Sequence, residues 1–222
     1  MIIDKSYFKG NLNVPNVQSD LVPLGDRQGN QVNLDEYILE YEKKVMIDAL
    51  GYEAWKSFAS SFETNGDLKP GAEQRWIDLV DGKEFTSGNG DLVKWEGLRY
   101  TLGTFKYSLI ADYVFAIFLN DTSRTFAGNG MVKEAFKTGE TESSIPRIAE
   151  AWNRYVKKYQ GVVEGVAGYP VVTQRQGLVS VDWSRNSWED SEVSMYRYLI
   201  ENEDDYPDVK FRLTETTNSF GL

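Results

Sequence analysis

Hydrophobic residues recur at helical spacing through most of the middle of the chain. The clearest case begins at Asn33, where Asn-Leu-Asp-Glu is typical of a helix N-terminus, and continues to Gly51. Its apolar positions are Leu34, Ile38, Tyr41, Val45 and Ala49. Two shorter helices are predicted after it, over 52–62 and 71–80. A helical core is therefore expected from residue 33 onward.

Two longer helices are predicted in the second half of the chain. From Lys94 to Asn120, apolar residues lie alternately three and four positions apart, which predicts one central helix. Its seam consists of Trp95, Leu98, Leu102, Phe105, Leu109, Tyr113 and Ile117. A second helix is predicted over 144–159, with Pro146 in its first turn, and should pack against the first. A short last helix is predicted over 191–202.

The segments outside these helices are rich in turn residues. Gly128-Asn129-Gly130 lies between two short strand-like runs, 122–127 and 131–136, which indicates a hairpin. The connection that contains it is long for a compact domain, and such loops are usually functional or disordered. We therefore predict a mainly α protein: a helical bundle with a projecting hairpin between two long core helices, and extended N- and C-terminal arms.

This organisation divides the chain into three parts. Residues 1–32 are predicted to be an extended arm because glycine and proline interrupt them. Residues 33–165 are the helical core, with 120–143 as its loop arm. Residues 166–222 are a C-terminal extension that carries a short helix and a docking tail.

Composition narrows the possible chemistry. At 222 residues and 41% hydrophobic content, the chain is long enough for one substantial core. It has no cysteine and no histidine, which excludes disulfides, thiolate nucleophiles, Cys-bound metals and every histidine base. Any catalysis would depend on carboxylates, lysine, tyrosine or a hard cation. We expect no catalytic, cofactor-binding or metal-binding residues.

Net charge, the amino-terminal residues and the length of the apolar runs predict which partners the protein binds and where it is located. A net charge of -10 argues against binding nucleic acid through its phosphates, which requires clustered Lys and Arg. The amino end lacks the features of a secretory signal, so the protein is expected to be made and kept in the cytoplasm. The longest apolar run, Leu109–Leu119, is shorter than the roughly 20 residues that span a bilayer, and no membrane partner is expected.

Two segments could hold a small ligand. The stretch FAGNGMVKE, 126–134, contains glycines and a lysine, but lacks the Gly-Lys-Ser/Thr of a phosphate-binding loop and the glycine spacing of a dinucleotide site. The acidic residues Glu201, Glu203, Asp204 and Asp205 could gather a cation, although they lack the spacing of a calcium loop. A contact hairpin and a solvated helix end are the better interpretations.

Aromatic residues and one carboxylate leave further alternatives. Six tryptophans in an acidic chain could line a sugar cleft beside two catalytic carboxylates. Trp55, Trp76, Trp95 and Trp152 fall on helical apolar stripes and are better explained as core, whereas Trp183 and Trp188 remain open. Asp112 interrupts the apolar run and must be paired or protonated if it is buried. Arg147 or Arg154 is its expected partner, in a structural role.

The order of elements resembles a known protein family. The similarity lies in a succession of segments: YFKG, LDEYILEYEKKVMIDALGYEAWKSF, QRWIDLVDGKEF, WEGLRYTLGTFKYSLIADYVFAIFLND, AWNRYVKKY and a terminal NSFGL. Together they resemble head-to-tail connector (adaptor) proteins of tailed bacteriophages, of the divergent type found in phages of gut Bacteroidetes. The resemblance covers about residues 5–165 and the end of the tail.

The resemblance implies a structural role in the virion. Family members form a ring, here expected to be a dodecamer, below the portal, where they join capsid to tail and continue the DNA channel. The expected partners are further copies of the chain, the portal protein, and downstream neck or tail proteins, with genomic DNA passing without specific binding. We expect partner contacts at the hairpin and at the tail: Arg124, Phe126, Asn129, Met131, Lys133, Asn218, Phe220 and Leu222.

Two other functions remain open from the sequence. One is a carboxylate-dependent glycan hydrolase, and the other is a monomeric helical module that binds another protein. The resemblance favours the virion protein, located at the head-tail interface after synthesis in the bacterial host cytoplasm.

Overall fold

The computed structural model describes residues 2–14, 34–88, 90–122, 125–127, 130–132, 145–161 and 192–214. Within these ranges the chain forms α-helices and small two-stranded antiparallel sheets. The helices are α1 (Leu34–Leu50), α2 (Tyr52–Ser60), α3 (Gln74–Asp81), α4 (Leu109–Thr122), α5 (Ile145–Tyr159) and α6 (Met195–Glu201). The protein is mainly helical, as predicted, although its hairpins make it more mixed than a helical bundle.

Within the described ranges the strands pair as three hairpins, each formed by two strands that are neighbours in the chain. They are β1 (Lys83–Thr86) with β2 (Leu92–Trp95), β3 (Tyr100–Leu102) with β4 (Phe105–Tyr107), and β5 (Thr125–Ala127) with β6 (Gly130–Val132). In the last pair Phe126 lies opposite Met131. The pairing agrees with the hairpin predicted between α4 and α5, and residues 133–136 of its second predicted strand lie outside the described residues.

Helix α4 forms the centre of the core. Every residue from Leu109 to Ala116 is buried, so this part of α4 is apolar on all sides except at Asp112. Helices α1 and α5 both pack against α4. Helix α5 is amphipathic, and its buried positions are Ile148, Ala151, Trp152, Tyr155, Val156 and Tyr159. The predicted packing between the two long helices is confirmed.

The prediction of one helix over Lys94–Asn120 is wrong. Only the part from Leu109 onward is helical, and residues before it form β2, β3 and β4. The reason lies at Gly97, whose φ of +96° belongs to the left-handed region. A Cβ at Gly97 would lie 2.5 Å from the Val80 carbonyl oxygen, because two backbone segments cross there. A continuous helix cannot pass through this crossing.

The crossing joins the end of α3 to the segment after β2. The backbone N–H groups of Leu98 and Arg99 donate to the carbonyls of Leu79 and Val80, at 3.1 and 3.2 Å. The indole Nε1 of Trp95 also donates to the Leu79 carbonyl, at 2.9 Å. These bonds satisfy carbonyl groups that the last turn of α3 leaves without helical partners.

The described N-terminal segment packs onto the core. Its buried side chains are Ile2, Ile3, Tyr7, Phe8, Leu12 and Val14. The Glu42 carboxylate accepts hydrogen bonds from the backbone N–H groups of Ile2 and Ile3, at 2.8 and 3.1 Å. Arg147 on α5 donates to the carbonyls of Asn11 and Asn13, each at 3.3 Å. Residues 2–14 therefore form part of the core, and the rest of the predicted arm lies outside the described residues.

The described C-terminal segment, residues 192–214, also packs onto the core. Val193, Met195, Tyr198, Leu199 and Tyr206 are buried in the core. The backbone N–H of Val193 donates to the Lys94 carbonyl, which attaches this segment to β2. Further along, the Lys210 N–H donates to the Leu50 carbonyl at 3.0 Å. The predicted last helix is confirmed as α6, and the strand-like run over 177–183 lies outside the described residues.

Candidate functional site

The β3–β4 hairpin exposes two large apolar side chains at its tip. Leu102 and Phe105 lie opposite each other in the register, so both side chains are on the same face. Leu102 is 68% exposed and Phe105 is 50% exposed. Apolar residues exposed singly are common on protein surfaces, whereas contiguous exposed apolar side chains are a feature of contact surfaces.

The base of this hairpin is fixed to the body of the protein. Tyr100 and Tyr107 stack with their ring centroids 5.3 Å apart. The Lys158 ammonium on α5 donates to the Tyr100 hydroxyl at 3.0 Å and lies 5.1 Å from the centre of the Tyr100 ring. Lys106 lies over the ring of Tyr7, at 5.3 Å. The exposed pair is therefore held in a defined position and needs little ordering when it binds.

A cleft of about 440 Å³ lies between this hairpin, the N-terminal segment and the helices α4 and α5. Its lining includes the cations Lys9, Lys106, Arg154 and Lys158, and a single carboxylate, Asp112. We call it the cationic cleft. The volume falls within the range of small-ligand sites, but the chemistry of its walls decides what it can bind.

Asp112 is buried at the bottom of the cationic cleft. Its Oδ1 accepts a hydrogen bond from Nε of Arg154 at 2.9 Å, and its Oδ2 lies 3.9 Å from the Lys158 ammonium. Burial raises the pKa of Asp112, while Lys158 and Arg154 act in the opposite direction. The predicted pairing agrees with this geometry, and of the two expected partners it is Arg154 that contacts Asp112. Arg147 instead binds the N-terminal segment.

The described lining of the cationic cleft contains one carboxylate. Glycan hydrolysis uses two carboxyl groups on opposite sides of the scissile bond, and Asp112 is the only carboxylate among the described lining residues. Three of the tryptophans considered for a sugar platform, Trp76, Trp95 and Trp152, are buried in the core. Trp183 and Trp188 lie outside the described residues. Within the described part of the chain, no group of three or more acidic side chains is placed to hold a metal ion.

The residues predicted for partner contact are only partly described. Phe126 and Met131 are paired across β5 and β6. Arg124, Asn129, Lys133, Asn218, Phe220 and Leu222 lie outside the described residues.

None of the helices in the described ranges has the length and apolarity needed to cross a bilayer.

Sequence reasoning missed the exposed pair Leu102 and Phe105. Their spacing fits the helical seam, so both are assigned to the core in that interpretation. A signal for the correct structure is present: Gly103-Thr104 lies between Tyr-Thr-Leu and Phe-Lys-Tyr, which is a two-residue turn between strand-forming residues. The sequence does not predict that Lys158 and Lys106 line one cleft, because that placement depends on the β3–β4 hairpin.

No protein-family model, curated protein or solved structure matches this chain.

Proposed function

We propose that this chain is a structural virion protein that forms a ring below the portal, joins capsid to tail and continues the DNA channel. The proposal assigns it no reaction and no cofactor. The proposal starts from the resemblance of the helical segments to bacteriophage head-to-tail connectors. The protein would lie at the head-tail interface of the virion.

The observation that carries the proposal is the exposed Leu102–Phe105 pair on a fixed hairpin. A ring subunit must present apolar surface that only its neighbours cover, because obligate interfaces are more hydrophobic than ordinary protein surface. The β3–β4 hairpin presents such surface and is anchored by Lys158 and by the stacked Tyr100 and Tyr107. We infer that it inserts against the portal or an adjacent subunit.

The hairpin between α4 and α5 and the C-terminal tail extend the proposed contact surface. Phe126 and Met131, on β5 and β6, would meet a neighbour. Phe220 and Leu222 are apolar residues after a polar run, and a groove on the portal or an adjacent subunit would cover them. These contacts follow from the sequence and from the resemblance.

A monomeric protein-binding module would also use an exposed apolar hairpin. The two functions differ in stoichiometry: the ring requires copies of this chain to contact one another on the portal, and the module does not. Sedimentation of the chain alone and with the portal protein of the same genome separates them, and a ring-sized complex is expected only on the portal or at high concentration.

The double substitution Leu102→Ser and Phe105→Ser tests the hairpin directly. Each side chain is worth about 1.5 to 3 kcal/mol when fully buried, so the variant should associate with the portal or with itself more than about tenfold more weakly. Its melting temperature should stay close to that of the unmodified chain, since both side chains are already exposed.

Leu39→Ser is the matched control, because Leu39 is 56% exposed on α1 and lies outside the hairpin. It should associate normally. Equal association of the hairpin variant and the control would remove the hairpin from the interface.

A further inference from the structure

The cationic cleft concentrates positive charge in a strongly acidic protein. Among its described lining residues, four are cations and one is a carboxylate, while the chain as a whole carries a net charge of -10. Gathering like charges at one place costs free energy in the isolated subunit. Lys158 and Lys106 help to hold the β3–β4 hairpin, but the proposed hairpin contact itself is apolar and supplies no anion to the cleft.

Two of the cations, Lys9 and Lys106, are exposed, whereas Arg154 and Lys158 are only partly exposed. Arg154 is already bound to Asp112 and Glu150, and Lys158 to the Tyr100 hydroxyl. Lys106 is 44% exposed, and its ammonium lies 3.9 Å from Asp4. Lys9 is exposed, and within the described ranges no carboxylate lies within ion-pair distance of it. Lys9 and Lys106 therefore form the open rim of the cleft.

The same chain carries an acidic segment of matching charge. We call Glu201–Asp205 the acidic run; its four acids are exposed. Glu201 is bound by Arg197 at 2.8 Å, and Asp205 lies 3.9 Å from Lys83. No ion pair to Glu203 or Asp204 is found among the described residues. These two acids face water at the carbonyl end of α6, where the helix dipole disfavours negative charge.

Hydrogen bonds hold the acidic run in place against the body of the protein. The Asn202 side chain donates to the Tyr198 carbonyl at 2.8 Å. The buried Tyr206 hydroxyl donates to the Arg75 carbonyl at 2.6 Å, and Arg75 in turn donates to the Asp205 carbonyl at 3.2 Å. The run is thus attached to α3, whereas the cationic cleft is formed by the N-terminal segment, β3, β4, α4 and α5. The two surfaces share no element.

We propose that the cationic cleft of one subunit receives the acidic run of the next subunit. The inference rests on the proposed ring. Two different surfaces that complement each other form a head-to-tail contact, and such a contact closes into a ring when the rotation between subunits allows it. Lys9 and Lys106 pair with Glu203 and Asp204 across the interface. Charge complementarity of this kind sets which subunit faces meet.

Charge reversal on each side separately tests this pairing. A cleft variant carries Lys9→Glu and Lys106→Glu, and a run variant carries Glu203→Lys and Asp204→Lys. Each should weaken ring assembly on the portal by about tenfold or more, because like charges then face each other. A chain with all four substitutions should recover assembly, since the pairs are restored with reversed sign. Lys56→Glu with Lys210→Glu is the control, because both lysines are exposed outside the cleft.

Carbodiimide cross-linking provides an independent readout. Rings are assembled from a mixture of isotope-labelled and unlabelled chains, and mixed-isotope cross-links should join Lys9 or Lys106 to Glu203 or Asp204. Rings without such cross-links, together with normal assembly of both one-sided variants, would overturn this inference and leave the proposed ring intact. Failure of the unmodified chain to assemble, alone or with the portal, would contradict the proposed function and this inference together.

Discussion

At the scale of single residues, Asp112 shows how a charge is kept inside an apolar helix. Burial disfavours its ionised form and raises its pKa, and Lys158 and Arg154 offset part of that cost. Arg154 is 30% exposed and also holds Glu150 at 2.7 Å. The guanidinium therefore keeps a second partner and access to water when the carboxylate is removed.

Asp112→Ala should lower the free energy of unfolding by about 1 to 3 kcal/mol, because it removes a charged hydrogen bond in a buried place. The loss should be smaller than for a fully enclosed pair, since Arg154 retains Glu150. Chemical denaturation measures it, with Asp112→Asn as the variant that keeps shape and hydrogen-bonding capacity. An unchanged free energy of unfolding in Asp112→Ala would mean that the pair contributes nothing to stability.

The sequence indicates the burial of Asp112 and limits its partner to two arginines, without deciding between them. An acid within an apolar run on a central helix indicates burial, and Arg147 and Arg154 both lie on the helix expected to pack there. Which of them reaches the carboxylate depends on the rotation and register of α5 against α4. Those quantities come from packing across the whole interface, which local spacing does not contain.

At the scale of elements, helices that begin and end at clear signals are predicted well. Helix α1 ends just before Gly51 and α5 ends at Tyr159, close to the predicted bounds. The region before α4 is misassigned because its apolar residues fit a helical period by coincidence. Gly97 and Gly82 are the residues that decide against a helix, since a Cβ on either would meet the backbone of the other segment at 2.5 Å.

Gly97→Ala should therefore be strongly destabilising. The left-handed backbone and the clash with the Val80 carbonyl together should cost about 3 kcal/mol or more. Gly71 is the matched control, since its φ is +87° but a Cβ there meets nothing within 4 Å. Gly71→Ala should cost only about 1 to 2 kcal/mol, from the backbone alone. Equal losses in thermal unfolding would mean that the crossing is not tightly packed.

At the scale of the whole molecule, the net charge bears on the proposed DNA channel. With 34 acidic and 24 basic residues, a channel formed by this chain would repel phosphate and let DNA slide. The cations of the cationic cleft are in part neutralised by Asp112 and Glu150. In the proposed ring, the acidic run of a neighbour pairs with the remaining cations, Lys9 and Lys106.

The unmodified protein should show no measurable affinity for duplex DNA of random sequence at physiological salt. Fluorescence anisotropy with a labelled duplex measures this, and a basic DNA-binding protein provides the positive control. Submicromolar binding would contradict the acidic channel. It would also direct attention to Lys9 and Lys106 as phosphate contacts.

The central claim is that copies of this chain form a ring on a portal. Electron microscopy of the protein mixed with the portal protein of the same genome tests it most directly. The account predicts a closed ring of this chain coaxial with the portal, with the β3–β4 hairpin covered by a neighbouring chain. A portal that stays bare at saturating protein, or single copies bound without contact to one another, would contradict it.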